Sequence, residues 1–460
     1  MIFRQIVHDD LGCASYFVGD EDAGVAAVID PRFEIDEYLE LARYLGVRID
    51  HVLETHNHAD HVSGHGRLAA ATGAVIHVHR AAGVSYDHEP FDDGFELELG
   101  SVRVRAIHTP GHRPEHTSFA LIDMARGAEP WAVLTGDTLF VGDIARPDLA
   151  IDKREGAHEI FRSLHERLLT LPPDTEVWPA HLGGSLCGGP AMDMKVSSTI
   201  GYEARHNQLL AERDEDAFVE RSVTDLPPQP PNFQNIVEMN KGELVTGGLD
   251  VMPLTPRQLE QRQQAGALIV DVRTDHQFDD AHIPGALSNT MLRSGFGTKL
   301  AWLADRGQEI VFVGRDDEDG RRAARLAVAV GVRELGGFLS GGMTSWREED
   351  REVTRVERIQ VDELHARGDG VQILDVREER EWRDGHIPGS VHMPYHDIRS
   401  LPDGIDAERP IAVICASGQR SAVGASLLQS YGAQEVLHVV DGGVPSWARA
   451  GYPIEVTDHR

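Results

Sequence analysis

Short apolar runs rich in branched side chains recur along the chain. They lie at 26–29, 75–78, 102–107, 132–134 and 176–178 in the first half, and at 268–270, 310–313, 373–374 and 411–414 in the second. Between them lie longer stretches whose apolar positions return at helical spacing, at 35–45, 157–169 and 321–330. Strand-length runs alternating with helical stretches predict layered α/β architecture, with parallel sheets where the alternation is regular. In the first half the runs end beside a His or an Asp, so polar ligands are set on loops at strand ends, where binding sites form.

The second half is a duplication. "LIVDVRTDHQFDDAHIPGAL" (268–287) is echoed by "QILDVREEREWRDGHIPGSV" (372–391), and Asp271 and Asp375 stand 104 positions apart, as do His282 and His386. "LSGGMTSWREED" (339–350) and "VDGGVPSWARAG" (440–451) close the two copies. A period of that length is a repeated domain and not a solenoid unit. Proline-rich "TDLPPQPPNFQ" (224–234), without periodicity, separates the halves and reads as a linker or a wrapped arm. The expected division is 1–225, a linker or arm at 226–250, and repeat domains at 251–355 and 356–460.

Composition narrows the partners. At roughly 150 residues per domain, 460 residues suit about three domains. Acidic residues number 75 against 44 basic, a net charge of −31, which makes nucleic acid and anionic membrane poor partners. Cys13, Cys187 and Cys415 are the only cysteines, too few for a disulfide framework, so a reducing cytoplasm is expected. The start "MIFRQIVHDDLG" lacks the pattern of a signal peptide. No apolar run approaches the ~20 residues of a membrane span.

Four segments carry metal-ligand chemistry: "THNHADH" (55–61), "HTPGHRPEHTSF" (108–119), "LTGDTLF" (134–140) and "VWPAHLGG" (177–184). Imidazoles and a carboxylate converging from separate strand ends suit a first-row divalent metal. His-x-His-x-Asp-His, then Gly-His, Gly-Asp and Pro-Ala-His, resembles the metal-site order of the metallo-β-lactamase superfamily over about residues 1–225. The resemblance implies an αββα sandwich. In its dinuclear zinc hydrolases, such as glyoxalase II, the matching ligands are His56, His58, His112 and Asp137 for one metal, and Asp60, His61, Asp137 and His181 for the other. "VGDIARPDL" (141–149), with Gly142, Arg146 and Asp148, resembles the persulfide dioxygenase branch. That branch implies a single Fe(II) on His56, His112 and Asp137, with His58, Asp60, His61 and His181 as supporting groups or as a second metal's ligands. Arg146 and Asp148 become candidates for binding the substrate. Cys187 is either a packed thiol or a sulfur acceptor, and its glycine neighbours suggest exposure. Cys13, in an apolar strand, reads as core.

"IAVICASGQRSAVGASLL" (411–428) is a strand, a tight loop and a helix. Loop N–H groups and a helix N-terminus around Cys415 favour thiolate, and Arg420 is placed to hold a sulfur oxyanion. Cys-x-x-Gly-x-Arg-Ser, with Asp-Val-Arg and Gly-His-Ile-Pro-Gly upstream, resembles a rhodanese sulfurtransferase domain. The first copy reads "VFVGRDDEDGRRAARL" (311–326). Gly314 or Asp316 takes the cysteine's place, depending on whether strand or helix is aligned. That copy is expected to be inactive, with its acidic run repelling anions.

The expected protein is therefore a persulfide dioxygenase with two α/β rhodanese domains, the second active, using Fe(II), O₂, a low-molecular-weight persulfide and sulfite or thiosulfate. A homodimer is the family-level expectation. The alternatives are a Zn(II) thioesterase of the glyoxalase II kind and a non-enzymatic sulfur-relay or persulfide-sensing protein.

Overall fold

The computed structural model describes all residues except 9, 184, 186, 190, 225, 249–250, 293–294 and 458–460. The chain forms two compact units, residues 1–248 with 328–331 and residues 249–327 with 332–460. No helix among the described residues is long and apolar enough to cross a membrane.

The first unit is built on two six-stranded sheets. One runs in the order β1 (Ile2–His8), β2 (Cys13–Asp20), β3 (Val25–Ile29), β4 (Arg48–Leu53), β5 (Val75–His79), β6 (Glu89–Phe91). The other contains β7 (Glu96–Leu99), β8 (Val102–His108), β9 (Thr117–Asp123), β10 (Ala132–Gly136), β11 (Glu176–Pro179) and β12 (Ser198–Thr199). Strand side chains alternate between faces, and both faces are covered. Tyr16, Val18, Ala27 and Ile29 meet Phe119, Leu121 and Leu134 between the sheets. Phe17, Ala26 and Val28 face outward, onto Tyr38 and Ala42 of α1 (Asp36–Leu45) and Leu68 of α2 (His65–Thr72). On the far side, Val133 and Val177 pack against Ile160 of α3 (Lys153–Arg162), and the same cluster takes in Ile200 of α4 (Ile200–His206) and Phe218 of α5 (Glu215–Ser222). This is the expected αββα sandwich.

α3 starts before the predicted 157 because Asp152 accepts from the N–H groups of Arg154 and Glu155, a side-chain cap that satisfies two otherwise unpaired donors. The proline-rich stretch carries α6 (Phe233–Lys241), whose Phe233 and Val237 pack on Ala59. Most of 226–248 is thus built onto the first unit as an arm.

The second unit holds two all-parallel five-stranded sheets. In the first repeat domain β13 (Pro253–Leu254), α7 (Pro256–Gln264), β14 (Leu268–Asp271), α8 (Asp275–Asp280), β15 (Leu287–Ser288), α9 (Phe296–Leu303), β16 (Ile310–Val313), α10 (Asp317–Ala329), β17 (Leu335–Leu339) and α11 (Gly342–Glu348) follow one another. The second repeats the pattern from β18 (Glu357–Ile359) through α12 (Val361–Arg367), β19 (Gln372–Asp375), α13 (Glu379–Arg383), β20 (Val391–His392), β21 (Ile411–Ile414), α14 (Gln419–Ser430) and β22 (Val436–Val439) to α15 (Gly443–Arg449). Each central strand is apolar on both faces because helices cover both. One apolar core runs through both domains, joining Phe278 and Leu287 to Val376, Val423 and Leu428. Ser288 N–H donates to Ser426 Oγ across the same boundary.

Candidate metal centre and thiol site

Parallel strands β3 and β4, with β10 and β11, end at one edge of the sandwich, and the loops leaving them carry Asp30, residues 55–61, Asp137 and His181. The turn after β10 requires glycine. Gly136 has φ +51°, and a Cβ there would lie 2.5 Å from His116 Nε2. His116 in turn accepts the Asp137 N–H at 2.8 Å, which aims the Asp137 carboxylate into the site.

His56, His112 and Asp137 form one compact group of ligand atoms, all buried and within 4.8 Å of one another. The tautomers of both imidazoles follow from their partners. His112 Nδ1 lies 3.0 Å from the Arg146 carbonyl, which can only accept, so Nδ1 carries the proton. Thr55 Oγ1 donates to Asp30 at 2.8 Å and therefore accepts from His56 Nδ1 at 2.9 Å. In each ring the Nε2 lone pair is left facing Asp137, at 3.8 Å from His56 and 3.5 Å from His112. Burial, reinforced by neighbouring imidazoles, pushes the His56 pKa well below its usual value. Burial lowers His112 as well, against the pull of Asp137. Burial opposes ionisation of Asp137, yet His181 and His112 hold it at about 2.

His56 Nε2, His112 Nε2 and both Asp137 carboxylate oxygens are buried without a hydrogen bond. Buried polar atoms left in that state are costly; when they converge as two neutral imidazoles and a carboxylate, they fit a divalent metal. His58 does not join this group. Its Nε2 lies 3.3 Å from both Asp30 and Glu54, and it clusters with those residues and with Asp60 and His61. A further group joins Asp60, His181 and Cys187. Burial works against protonation of His181, but Asp137 and Asp60 outweigh it and raise its pKa to about 10.

Arg146, Cys187 and Cys13 are all buried. Arg146 is buried, its guanidinium engaged by both oxygens of Asp148 at 2.7 and 2.8 Å and by the Pro227 carbonyl. Its visible contribution to the site is the carbonyl that orients His112. The flanking glycines do not expose Cys187. It is 1% accessible, packed with Phe140 and Ala145, and burial plus the nearby carboxylates push its thiol pKa up. Cys13 is core, paired in an isolated bridge with His181.

Several residues of the site had no role assigned from the sequence. Asp30 and Glu54 close strands β3 and β4, and polar strand ends were their only signal. His116 lay in a quoted motif without a role. Asn240 of α6 donates to the carbonyls of His58 and His61 and accepts from Ser63 N–H. Gln229 donates to Asp148. The arm thus braces the metal loops, which no local pattern announces.

In the second unit Cys415 directly follows β21 and is fully buried. Its sulfur accepts from Gly418 N–H at 3.1 Å and Ser417 N–H at 3.4 Å, with Ser421 Oγ at 3.4 Å. Close packing needs glycine behind it, since a Cβ at Gly443 would fall 1.8 Å from the Cys415 carbonyl. Arg420 is paired with both carboxylate oxygens of Glu381.

The first repeat domain aligns by its strand. Val444 N–H donates to Cys415 C=O and Met343 N–H to Gly314 C=O in the same way, so Gly314 holds the cysteine's place. A Cβ at 314 would lie 2.4 Å from Asp319 Cβ. Asp319 therefore fills the sulfur's space and takes the Arg315 N–H and guanidinium. Three carboxylates of the acidic run have arginine partners: Asp319 pairs with Arg315, Glu318 with Arg325 and Asp317 with Arg321, and Asp317 also accepts from Gly341 N–H. The mouth beside it is lined by Arg273, Arg315 and Arg347 as well as Asp280.

Residues 8–181 match the metallo-beta-lactamase superfamily, and residues 255–349 and 360–450 each match the rhodanese-like domain. The human mitochondrial persulfide dioxygenase ETHE1 is 30% identical over 183 residues, spanning 39% of this chain and 68% of that protein. A hydroxyacylglutathione hydrolase of Methylococcus capsulatus is 37% identical over 172 residues, 36% of this chain and 60% of that one. The crystal structure of a metallo-beta-lactamase from Staphylococcus aureus subsp. aureus COL has a TM-score of 0.66 at 28% identity, covering 74% of this chain and 99% of that chain. With a centre of two imidazoles and a carboxylate at the sandwich edge, and a thiol loop at the end of a parallel strand, this chain belongs to the metallo-β-lactamase superfamily and carries two rhodanese-like domains.

Proposed function

We propose that the first unit is an iron-dependent persulfide dioxygenase, and that Cys415 of the second is a sulfurtransferase nucleophile acting on the same sulfur pool. The observation that carries the first assignment is the grouping of His56, His112 and Asp137 apart from His58. Two imidazoles and one carboxylate on one face suit Fe(II), leaving positions open for O₂ and a substrate sulfur. An iron ion held there would supply the activation of O₂, which zinc cannot.

The chain's own residues prepare the rest. Thr55 and the Arg146 carbonyl lock both imidazoles with Nε2 inward. His181 lies 3.4 Å from Asp137 and 3.4 Å from Asp60, which in turn lies 3.1 Å from His61, and these groups can orient a bound persulfide and water and take up protons. Overall, the terminal sulfur of a low-molecular-weight persulfide, one O₂ and one water give sulfite, two protons and the free thiol. At Cys415, a persulfide on the sulfur passes its outer sulfur to sulfite, giving thiosulfate and the thiolate, or the reverse. The product of one site is a substrate of the other, which favours fusing them. A reducing cytoplasm would suit both the carrier thiol and Cys415, and the whole would clear sulfide-derived persulfides.

The presence of Asp60, His61 and His181 beside the first group, with a hydroxyacylglutathione hydrolase among the relatives, supports a second reading as a dinuclear zinc thioesterase. Metal analysis and O₂ uptake with a defined persulfide, on protein purified without air, separate the two. One iron per chain, with persulfide-dependent uptake lost in His112→Ala and Asp137→Asn, is the expected result. Two zincs and no uptake would overturn it. Cys415→Ser should abolish thiosulfate chemistry and leave metal content unchanged.

A further inference from the structure

The first rhodanese-like domain has no nucleophile, yet it reaches the one in the second. Asp279 of α8 is 2% exposed and His438 of β22 is 0% exposed. His438 Nδ1 lies 2.7 Å from Asp279 Oδ2, and its Nε2 lies 2.7 Å from the carbonyl of Gly418. Gly418 is the residue whose N–H points at the Cys415 sulfur. A carbonyl and an ionised carboxylate can only accept, so a ring between them carries protons on both nitrogens. The line runs from carboxylate to imidazolium to the Gly418 carbonyl and, across the Gly418 Cα, to the N–H that points at the sulfur. Arg358 of β18 donates to the same Asp279 oxygen at 2.8 Å and lies 3.8 Å from Asp275. His438, Asp279, Arg358 and Asp275 sum to no net charge, but the imidazolium is the member nearest the loop. On the other side Arg420 is matched by Glu381.

The arrangement is specific to the second domain. In the first, Phe338 stands at the strand position of His438, paired with Phe312 as His438 is with Val413, and there is no sulfur to serve.

We infer that the first rhodanese-like domain is a working part of the thiol site: its Asp279, acting through His438, positions Gly418 and favours the thiolate of Cys415. Asp279 and His438 are positioning residues, since neither touches the sulfur. The inference rests on the reading of Cys415 as a sulfur-carrying thiolate, and its test does not need turnover.

Alkylation of Cys415 by iodoacetamide, followed on the Cys415 peptide by mass spectrometry across pH 5.5–9.5, reports the thiolate without any sulfur donor. In the full chain, Asp279→Asn should slow alkylation at pH 6.5 by about tenfold while leaving the rate above pH 9 unchanged, since one unit of displacement in a titration is a tenfold change in thiolate. His438→Phe, the side chain already tolerated at the matching place, should do the same. Asp279→Glu, which keeps a carboxylate, should recover most of the rate. A pH profile unchanged in both Asp279→Asn and His438→Phe overturns the inference, as does an equal loss at every pH, which would mark a structural role only. If the wild type alkylates as a thiolate and responds to Asp279→Asn but transfers no sulfur, the functional reading of Cys415 fails and the inference stands.

Discussion

Thr55 Oγ1 lies 2.9 Å from His56 Nδ1 and spends its own proton on Asp30. This hydroxyl, adjacent in sequence to a metal-ligand candidate, decides which nitrogen of His56 faces the centre. Partners of this kind typically set metal affinity by 10- to 100-fold. Thr55→Val, which keeps the shape and removes the acceptor, should weaken metal binding by about tenfold or more, measured by competition with a chelating dye. Thr55→Ser should restore it. Equal affinity in all three proteins would show that the His56 tautomer is set elsewhere.

Asn240 makes three hydrogen bonds to the loop from His58 to Ser63. Asn240→Ala leaves two buried carbonyls and one N–H unpaired, at a cost of about 1–3 kcal/mol per group if water does not enter. Faster hydrogen exchange of residues 58–63 and weaker metal retention on dialysis are expected, with the fold intact by circular dichroism.

Gly314 is at once the missing nucleophile and a packing requirement. Gly314→Cys alone should not create a second thiol site, because its Cβ would collide with Asp319. Overpacking of this kind costs about 1–3 kcal/mol, readable as a lower urea midpoint. Combining it with Asp319→Ser, the residue type at the matching helix position Ser421, should recover much of that stability.

His396 sits between Glu378 at 3.1 Å and Asp397 at 3.0 Å and stacks on Trp302 of the first rhodanese-like domain. Burial would lower its pKa, but the two carboxylates outweigh that and raise it above 6.5. A raised folded-state pKa contributes stability that is fully present below 6.5 and is lost as pH rises through the folded value. Both carboxylates are partly exposed, so screening keeps the contribution to about 1 kcal/mol or less. Stability by urea titration should therefore decline modestly on raising pH above 6.5, and His396→Gln should remove that decline. A pH dependence identical in the two proteins would assign it to another group.

Much of the site was legible because its signals are local. His56, His112, Asp137 and His181 each follow a strand-length apolar run, and strands of a layered fold deliver their ends to one edge. The 104-residue echo and the loop around Cys415 were equally plain, since a strand, a tight turn and a helix start within a few residues. Other features depend on neighbours far away in sequence. The glycines around Cys187 suggested exposure, but its surroundings are Phe140 and Ala145. Arg146 was a candidate for binding the substrate, and its guanidinium is engaged by Asp148 and by the arm at Pro227. Whether Gly314 or Asp316 replaces the cysteine was undecidable from spacing, because the loop is shorter in the first copy. The backbone bond from Met343 settled it.

By itself, then, the sequence determined the layered α/β class, the duplication, and which side chains could bind metal or carry sulfur. Periodicity and loop chemistry act over a few residues and need no partner. Only the tertiary structure decided which nitrogen each imidazole presents, that His58 groups apart from His56 and His112, and that Asp279 stands behind the Cys415 loop. Those depend on hydrogen bonds between segments tens to hundreds of positions apart, and such a bond exists only once both segments are packed.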